Sequence, residues 1–229
     1  AGTSGVIYGV TDQLKYDPQS RVNSFAHVNY TKDKKRLGVL LCINGTGIMN
    51  RWIREITGET GYPQINEEAA KIQPGSDGLL VIPFGNGAER MLNNQSPGAA
   101  FLQLDLNKHT KAHLFRATQE GIAFSFRYGL DILKENGLLP TVIRAGKANM
   151  FLSDVFIHSF VNSLNTPLEL YETDGSRGAA IGAGIGIGEY RNREEAFRDF
   201  LPQSIVKPAE AGKYEDLYQN WLKAFRTLL

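Results

Sequence analysis

The chain has 229 residues, of which 42% are hydrophobic and 21% are charged. This apolar content is enough for one large domain or two small ones with a buried core, and it excludes a disordered or fibrous protein. The 25 basic residues nearly balance the 24 acidic residues. Because a balanced charge gives little attraction to nucleic acid or to an anionic membrane, we expect small-molecule chemistry, with no nucleic-acid or membrane partner.

The cysteine content and the apolar pattern point to the reducing interior of a cell. Cys42 is the single cysteine and lies in an apolar run, which is typical of a buried thiol that forms no disulfide. No stretch approaches the roughly 18 apolar residues of a membrane helix, and the start lacks the pattern of a signal peptide. We therefore expect a cytoplasmic protein. Since Ala1 stands where a methionine is usual, we also expect a fragment of a longer chain.

The first part of the chain predicts three strands followed by a helix. Short β-rich runs cover residues 6–10, 25–30 and 38–43, with turn residues between the first two and a charged tip before the third. Three successive strands with short connections are typical of an antiparallel meander. Residues 48–56 carry apolar side chains at helical spacing, which predicts an amphipathic helix.

The remainder alternates helices with short strands. The predicted elements are a helix and loop at 63–76, a buried strand at 78–83, an irregular loop at 85–97, a long helix from the cap Thr110 to Asn136, strands at 141–144 and 168–171, and helices at 150–164, 176–187 and 211–228. This order indicates an α/β fold, in which helices flank a mixed sheet, as in ribonuclease H-like or actin-like ATPase domains. Without a linker or a repeat, the economical prediction is one domain over residues 1–229.

Two segments contain residue types that bind phosphate. Gly2, Thr3, Ser4 and Gly5 precede the first strand, where glycine frees backbone N–H groups and the hydroxyls add donors. An ordinary turn has the same composition. Residues 145–149, Ala-Gly-Lys-Ala-Asn, join a predicted strand to a predicted helix, whose N-terminus favours negative charge. This second segment lacks P-loop spacing, and a strand-to-helix connection with a solvated lysine is the alternative.

A glycine-rich run near the end of the chain has a structural interpretation. Gly178, Gly182 and Gly186 lie four residues apart. A dinucleotide-binding fingerprint needs a strand directly before it and an acid about 20 residues later, and this context is missing. We expect the three glycines to form one helix face against which another element packs closely.

The remaining polar pairs predict neither a metal site nor a catalytic acid. His109 and His113 are four residues apart, but no glutamate lies between them and no third ligand is near. Glu120, Asp131 and Asp154 all fall within predicted helices. Capping, ion pairing and structural hydrogen bonds are the expected roles of these carboxylates.

Taken in order, these segments resemble the C-terminal domain of the FGGY carbohydrate kinases, up to about Gly188. The opening Gly-Thr-Ser-Gly-Val is similar to the segment that begins this domain in xylulokinases and contacts nucleotide phosphates. Residues 43–52 resemble the family's small-residue helix start, whose glycine, here Gly47, lies near the nucleotide. Residues 82–90 resemble its Gly-Glu-Arg segment. Residues 113–124, His-Leu-Phe-Arg-Ala-Thr-Gln-Glu-Gly-Ile-Ala-Phe, closely match its second signature.

The resemblance has departures that limit what can be carried over. Residues 143–149 take the place of the family's adenosine-contacting Gly-Gly-Gly loop, but Ala145 and Lys147 replace two of its glycines. Only Gly146 and Asn149 are therefore carried over as adenine-side contacts. Gln103 stands where the family usually has glycine.

The resemblance implies transfer of the ATP γ-phosphate to a sugar hydroxyl, most closely that of D-xylulose, with ATP and Mg2+ as cofactors. The implied nucleotide contacts are Gly2, Thr3, Ser4, Gly5, Gly47, Gly146 and Asn149. The family's catalytic aspartate would precede residue 1, and the sugar is held mainly by an N-terminal domain. We therefore expect no catalytic residue here, and at best weak binding of ATP or ADP without kinase activity. Gluconate, ribulose or glycerol as substrate, a non-enzymatic actin-like module, a domain with no retained site and a homodimer stay open.

Overall fold

The computed structural model describes residues 3–13, 15–173 and 175–229. The strands in these ranges are β1 (Gly5–Thr11), β2 (Asn23–Ala26), β3 (Leu37–Ile43), β4 (Leu80–Phe84), β5 (Gly98–Leu102), β6 (Ile143–Gly146), β7 (Leu168–Tyr171) and β8 (Ser204–Val206). The helices are α1 (Gly47–Thr57), α2 (Tyr62–Ala70), α3 (Lys111–Glu135), α4 (Asp154–Leu164), α5 (Ser176–Gly186), α6 (Arg193–Ala196) and α7 (Ala211–Arg226).

The first sheet has β3 in its centre. β3 pairs antiparallel with both β1 and β2. The predicted antiparallel pairing is confirmed, but the predicted meander order is wrong. The apolar run of β3 is more buried than β1, whose side chains alternate between the core and the surface, so β3 gains most from the central position. The second strand also ends earlier than predicted, because the Tyr30 N–H donates to the His27 carbonyl (2.7 Å) and closes a turn.

Two smaller sheets complete the strand pairing. β4, which is buried throughout, pairs antiparallel with β5. β6 pairs parallel with β7, and β7 pairs antiparallel with β8, which gives the predicted mixed sheet. β5 and β8 were not predicted as strands from the sequence. Both are short, and their weak alternation gives little periodic signal.

The long helix α3 forms the centre of the fold. It packs against β3, β4, α1, α2, α4 and α7. At Gly121 a Cβ would lie 2.1 Å from the carbonyl oxygen of Val81, so this close approach of α3 to β4 requires glycine. The predicted cap is found at the start of α3, where the Thr110 N–H donates to His113 Nδ1 (3.1 Å). No helix in the described ranges is long and apolar enough to cross a membrane.

The helical carboxylates form structural contacts. Arg116 Nε donates to Glu120 Oε1 (2.8 Å), and both side chains are buried. Arg127 Nε donates to Asp131 Oδ1 (2.9 Å), and the same carboxylate accepts from the Tyr218 hydroxyl (3.2 Å). The Tyr218 bond fastens α3 to α7, whereas the two arginine–carboxylate pairs lie within α3.

The prediction for the glycine-rich helix is wrong. Among the residues that the structure describes, no atom comes within 4 Å of the position of a Cβ at Gly178, Gly182 or Gly186. α5 is exposed along most of its length, and Ile181 is its buried side chain. The four-residue spacing does place the glycines on one face, but that face is open within this chain.

Asp17 ties the connection between β1 and β2 to the end of α3. Its carboxylate accepts from the Arg21 backbone N–H (2.6 Å), from Arg21 Nε (3.0 Å) and from Asn136 Nδ2 (3.4 Å). Arg21 Nη2 also donates to Glu135 (2.9 Å). The side-chain hydrogen bond from Arg21 is the main cause that lowers the pKa of Asp17 to about 2.

Replacing Asp17 by asparagine is expected to lower the free energy of unfolding at neutral pH by about 1 to 2 kcal/mol. Because the folded pKa of Asp17 lies below its unfolded value, this contribution is present above about pH 4 and is lost as the pH falls towards 2. Urea unfolding of both proteins between pH 7 and pH 2 measures the difference, which should shrink over that window.

Asp12→Asn is the matched control, because Asp12 also pairs with an arginine but is half exposed. It should leave the free energy of unfolding nearly unchanged. An Asp17→Asn difference that stayed constant down to pH 2 would contradict the assignment.

Candidate functional site

A cleft of about 650 Å³ lies where the start of β1, the helices α1, α2 and α3, and the turn before α4 meet. Three predicted site residues from distant segments of the sequence line it, namely Thr3, Gly47 and Asn149. A cleft of this volume is within the range of small-molecule sites. The structure therefore brings three of the predicted site residues to one place.

The other predicted site residues lie elsewhere or outside the described ranges. Ser4 follows Thr3 and is partly exposed. Gly5 is buried, and a Cβ there would lie 2.5 Å from Phe126 Cζ, so this glycine packs against α3. At Gly146 a Cβ would lie 2.0 Å from the carbonyl oxygen of Thr173, so backbone packing explains the glycine there. Gly2 falls outside the described residues.

The first turn of α1 forms one end of the cleft. The Ile48 N–H donates to the Thr3 carbonyl (3.0 Å), which ties the segment before β1 to this turn. Gly47 is the first residue of α1 and lines the cleft beside Thr3. The Ile48 N–H is thus occupied, and the N–H groups of the next two residues are bonded to the Thr46 carbonyl. This end of the cleft offers the partial positive charge of the helix start rather than a row of free N–H donors. This end of the cleft is therefore suited to an anionic group.

A buried carboxylate holds the turn that leads into α1. Glu89 is 0% exposed and accepts from the backbone N–H groups of Asn44 and Gly45, both at 2.9 Å. Burial raises the pKa of Glu89, and the two N–H groups oppose that shift. The acid of the Gly-Glu-Arg segment thus fixes the backbone immediately before Gly47.

A chain of side-chain hydrogen bonds crosses the cleft wall. Ser153 Oγ donates to Gln119 Oε1 (2.6 Å), and Gln119 Nε2 donates to Asn66 Oδ1 (3.1 Å). Gln119 is 1% exposed, and all three residues line the cleft. The chain joins α3 to α2 and to the residue that caps α4. It holds the three walls in fixed relation and was not foreseen from the sequence.

Asn50 also lines the cleft and was missed by the sequence analysis. It is 9% exposed, and its Oδ1 has no hydrogen-bond partner among the described residues. Buried amide groups are nearly always hydrogen-bonded, so this oxygen is suited to receive a donor from a bound molecule. Asn50 lies within residues 43–52, the segment that resembles the helix start of the kinase family. That position was the signal in the sequence that could have identified it.

A carboxylate on the cleft wall is a candidate ligand for a metal ion. Glu67 of α2 is the carboxylate that lines it. Within the described ranges, no three His, Cys, Asp or Glu side chains gather to hold a metal ion. Mg2+ often binds through one or two carboxylates together with phosphate oxygens and water, so the donors present fit a magnesium ion that arrives with a nucleotide.

A second hollow, of about 810 Å³, lies between α3, α7 and the strands β4 and β5. None of the predicted site residues that the structure describes lines it. Its base is formed by side chains such as Phe124 and Trp221, which are buried in the core. The cleft at α1 is therefore the candidate site.

Comparison with known proteins shows the family to which this chain is similar. The profile of the C-terminal domain of the FGGY family of carbohydrate kinases matches residues 1–186. The xylulose kinase of Escherichia coli K12 is 25% identical over 236 residues, covering 99% of this chain and 46% of that protein. The xylulose kinase of Bacillus subtilis is 27% identical over 230 residues, covering 96% of this chain and 44% of that protein. The chain thus spans about half the length of these relatives.

Solved structures agree in fold. The xylulose kinase of Rhodospirillum rubrum superposes with a TM-score of 0.84 at 25% identity, over 99% of this chain and 46% of that one. The glycerol kinase of Plasmodium falciparum, solved with ADP, gives a TM-score of 0.87 at 18% identity, over 100% of this chain and 46% of that one. The predicted actin-like ATPase fold is confirmed. Because the family profile covers most of the sequence and the structural likeness covers nearly all of it, this chain belongs to the FGGY family of carbohydrate kinases.

Proposed function

We propose that this chain is the nucleotide-binding half of an ATP-dependent carbohydrate kinase. The observation that carries the proposal is the single cleft that joins Thr3, Gly47 and Asn149. In the proposed complex, the ATP phosphates lie against Thr3 and the first turn of α1. The adenine lies toward Asn149 and the connection that contains Gly146.

Physical chemistry supports the placement of the phosphates. Phosphoryl transfer depends mainly on positioning and on stabilising charge, and the positive end of the α1 helix dipole favours negative charge at this end of the cleft. The Thr3 hydroxyl adds a donor at the same end of the cleft, and Glu89 fixes the backbone before Gly47. Mg2+ would neutralise phosphate charge, and Glu67 is the acid on the cleft wall that could reach it directly or through water.

The rest of the reaction is proposed to involve residues outside this chain. The curated relatives are about twice as long as the part that matches. In the proposed full protein, the other half holds the sugar and the aspartate that orients its hydroxyl, and closure of the two halves brings that hydroxyl to the γ-phosphate. The isolated chain is then a nucleotide-binding module that has no kinase activity.

D-xylulose is the proposed acceptor. Its support is that the E. coli and B. subtilis relatives are both xylulose kinases. The identities near 25% leave a gluconate or glycerol acceptor as the alternative, since structures of a gluconate kinase and a glycerol kinase share the fold. The cleft contributes nothing to this choice, because it is proposed to hold the nucleotide.

ATP is expected to bind the isolated chain weakly, with a dissociation constant in the millimolar range, and to shift amide signals of α1 in an NMR titration. Thr3→Val should weaken binding about 3- to 10-fold, because it removes a hydroxyl that donates to phosphate. Thr31→Val is the matched control, since Thr31 lies in the exposed connection between β2 and β3. A wild-type chain that shows no shift with ATP would overturn the proposal.

The same protein sample tests whether the catalytic aspartate lies outside this chain. A coupled assay with ATP, Mg2+ and D-xylulose should show no phosphorylation by the isolated chain. Substantial turnover would contradict the placement of the catalytic aspartate outside it. In a longer protein that carries the upstream sequence, D-xylulose should be phosphorylated faster than gluconate, ribulose or glycerol, and the reverse order would remove the proposed acceptor.

A further inference from the structure

We infer that Asn50 binds a ribose hydroxyl of the nucleotide, an inference that rests on the proposed function. Asn50 is on α1, lines the cleft and is 9% exposed. Its Oδ1 is shielded from solvent and has no partner among the described residues. An amide oxygen in this state costs stability in the free protein and gains a hydrogen bond when a donor arrives.

The missing partner must be a hydrogen-bond donor, which limits the choice within ATP. Ionised phosphates only accept hydrogen bonds. The donors are the two ribose hydroxyls and the amino group of adenine. A hydroxyl both donates and accepts, so it can satisfy the Asn50 amide through Oδ1 or, if the amide is turned over, through Nδ2.

The geometry of α1 favours the ribose over the base. Asn50 lies three residues after Gly47, which places it about 4.5 Å further along the helix axis. In the proposed pose the phosphates lie at Gly47 and the nucleotide runs along α1, so the next group at that distance is the sugar. The base is proposed to lie beyond it, toward Asn149, which comes from a different wall of the cleft.

The test is a thermodynamic cycle in which the Asn50 amide and a ribose hydroxyl are removed separately and then together. ATP, 2′-deoxy-ATP and 3′-deoxy-ATP are titrated into the wild-type chain and Asn50→Ala, with binding followed by NMR. Asn50→Ala should weaken ATP about 3- to 10-fold, and the deoxynucleotide that lacks the bonded hydroxyl should bind the wild type weaker by a similar factor. Asn50→Ala combined with that deoxynucleotide should weaken binding no more than either change alone, because both remove the same hydrogen bond.

A second variant separates binding from folding. Asn50→Leu removes the unpaired amide and keeps a side chain of similar length. The unliganded variant should have an unchanged or higher thermal midpoint, since no buried polar atom is left without a partner, while its affinity for ATP falls. A purely structural role would lower the midpoint instead. Asn220→Ala, on an exposed position of α7 outside the cleft, is the control and should bind ATP like the wild type.

The outcomes separate a failure of the Asn50 contact from a failure of nucleotide binding. If the wild type binds ATP and Asn50→Ala binds it equally well, the inference fails and the proposed function stands. If the coupling appears with purine riboside triphosphate, which lacks the amino group, and with neither deoxynucleotide, Asn50 contacts the base and the ribose assignment is overturned. If the wild type does not bind ATP, the proposed function fails and the inference fails with it.

Discussion

Replacing Glu120 by alanine is expected to lower the free energy of unfolding by about 3 to 5 kcal/mol. Glu120 is 2% exposed and accepts from Arg116 Nε (2.8 Å), from the Gly75 N–H (3.0 Å) and from the Ser76 hydroxyl (3.0 Å). Burial raises the pKa of this carboxyl, and the guanidinium of Arg116 opposes the shift. Without Glu120, the Arg116 charge is left buried with neutral partners, which is the main cost.

Thermal and urea unfolding followed by circular dichroism measure this loss. For a chain of this length, the expected fall in the thermal midpoint is roughly 6 to 20 °C. The control is the double variant Arg116→Met with Glu120→Leu, which removes both charges and should lose less stability than the single variant. A Glu120→Ala protein within about 1 kcal/mol of the wild type would contradict a buried ion pair.

Replacing Trp221 by alanine is also expected to cost about 3 to 5 kcal/mol. Trp221 lies on α7, is 0% exposed and packs against Phe84, Phe124 and Phe225. Its Nε1 donates to the carbonyl oxygen of Val81 (2.8 Å) in β4. The variant therefore opens a cavity in the main core and leaves a buried carbonyl without its donor. Although α7 lies beyond the residues matched by the family profile, it is part of the same core.

A second substitution at Trp221 and a control at Trp52 separate the contributions of the Trp221 ring and its N–H group to stability. Trp221→Phe keeps an aromatic ring but removes the N–H, so it should cost about 1 to 3 kcal/mol. Trp52→Ala is the matched control, because Trp52 is 44% exposed on α1 and its ring lies 6.0 Å from that of Phe101, tilted by 35°. It should cost about 1 kcal/mol. Equal losses for Trp52→Ala and Trp221→Ala would show that α7 is not anchored by this residue.

Both predictions concern helix α3, which also forms part of the cleft. Gln119 and Glu120 are adjacent in α3 but point to different surroundings. Gln119 accepts from Ser153 and donates to Asn66 in the cleft wall, whereas Glu120 bonds to Arg116 and to the turn at Gly75. Because the two share one helix, weakening the core around Glu120 should also loosen the candidate cleft.

The helices were the most accurately predicted elements. The apolar spacing of α1, α3 and α7 was read from the sequence, and the caps at Thr110 and Asn136 were found where expected. An apolar face at a period of 3.6 residues is a local property, so a single sequence carries it. The helix predicted at 150–164 was less accurate, because α4 begins at Asp154, capped by Ser153, after a short turn that contains Asn149.

The sequence by itself determined the helix faces, the buried run of β3 and the ordered segments that indicated the FGGY family. It also nominated Thr3, Gly47 and Asn149. Only the tertiary structure decided that these three residues share one cleft, that β3 is the central strand and that the glycine face of α5 is open. It also left the Asn50 amide without a partner. Strand order, cavity walls and unmet hydrogen bonds depend on contacts between distant segments, and local periodicity carries no record of those contacts.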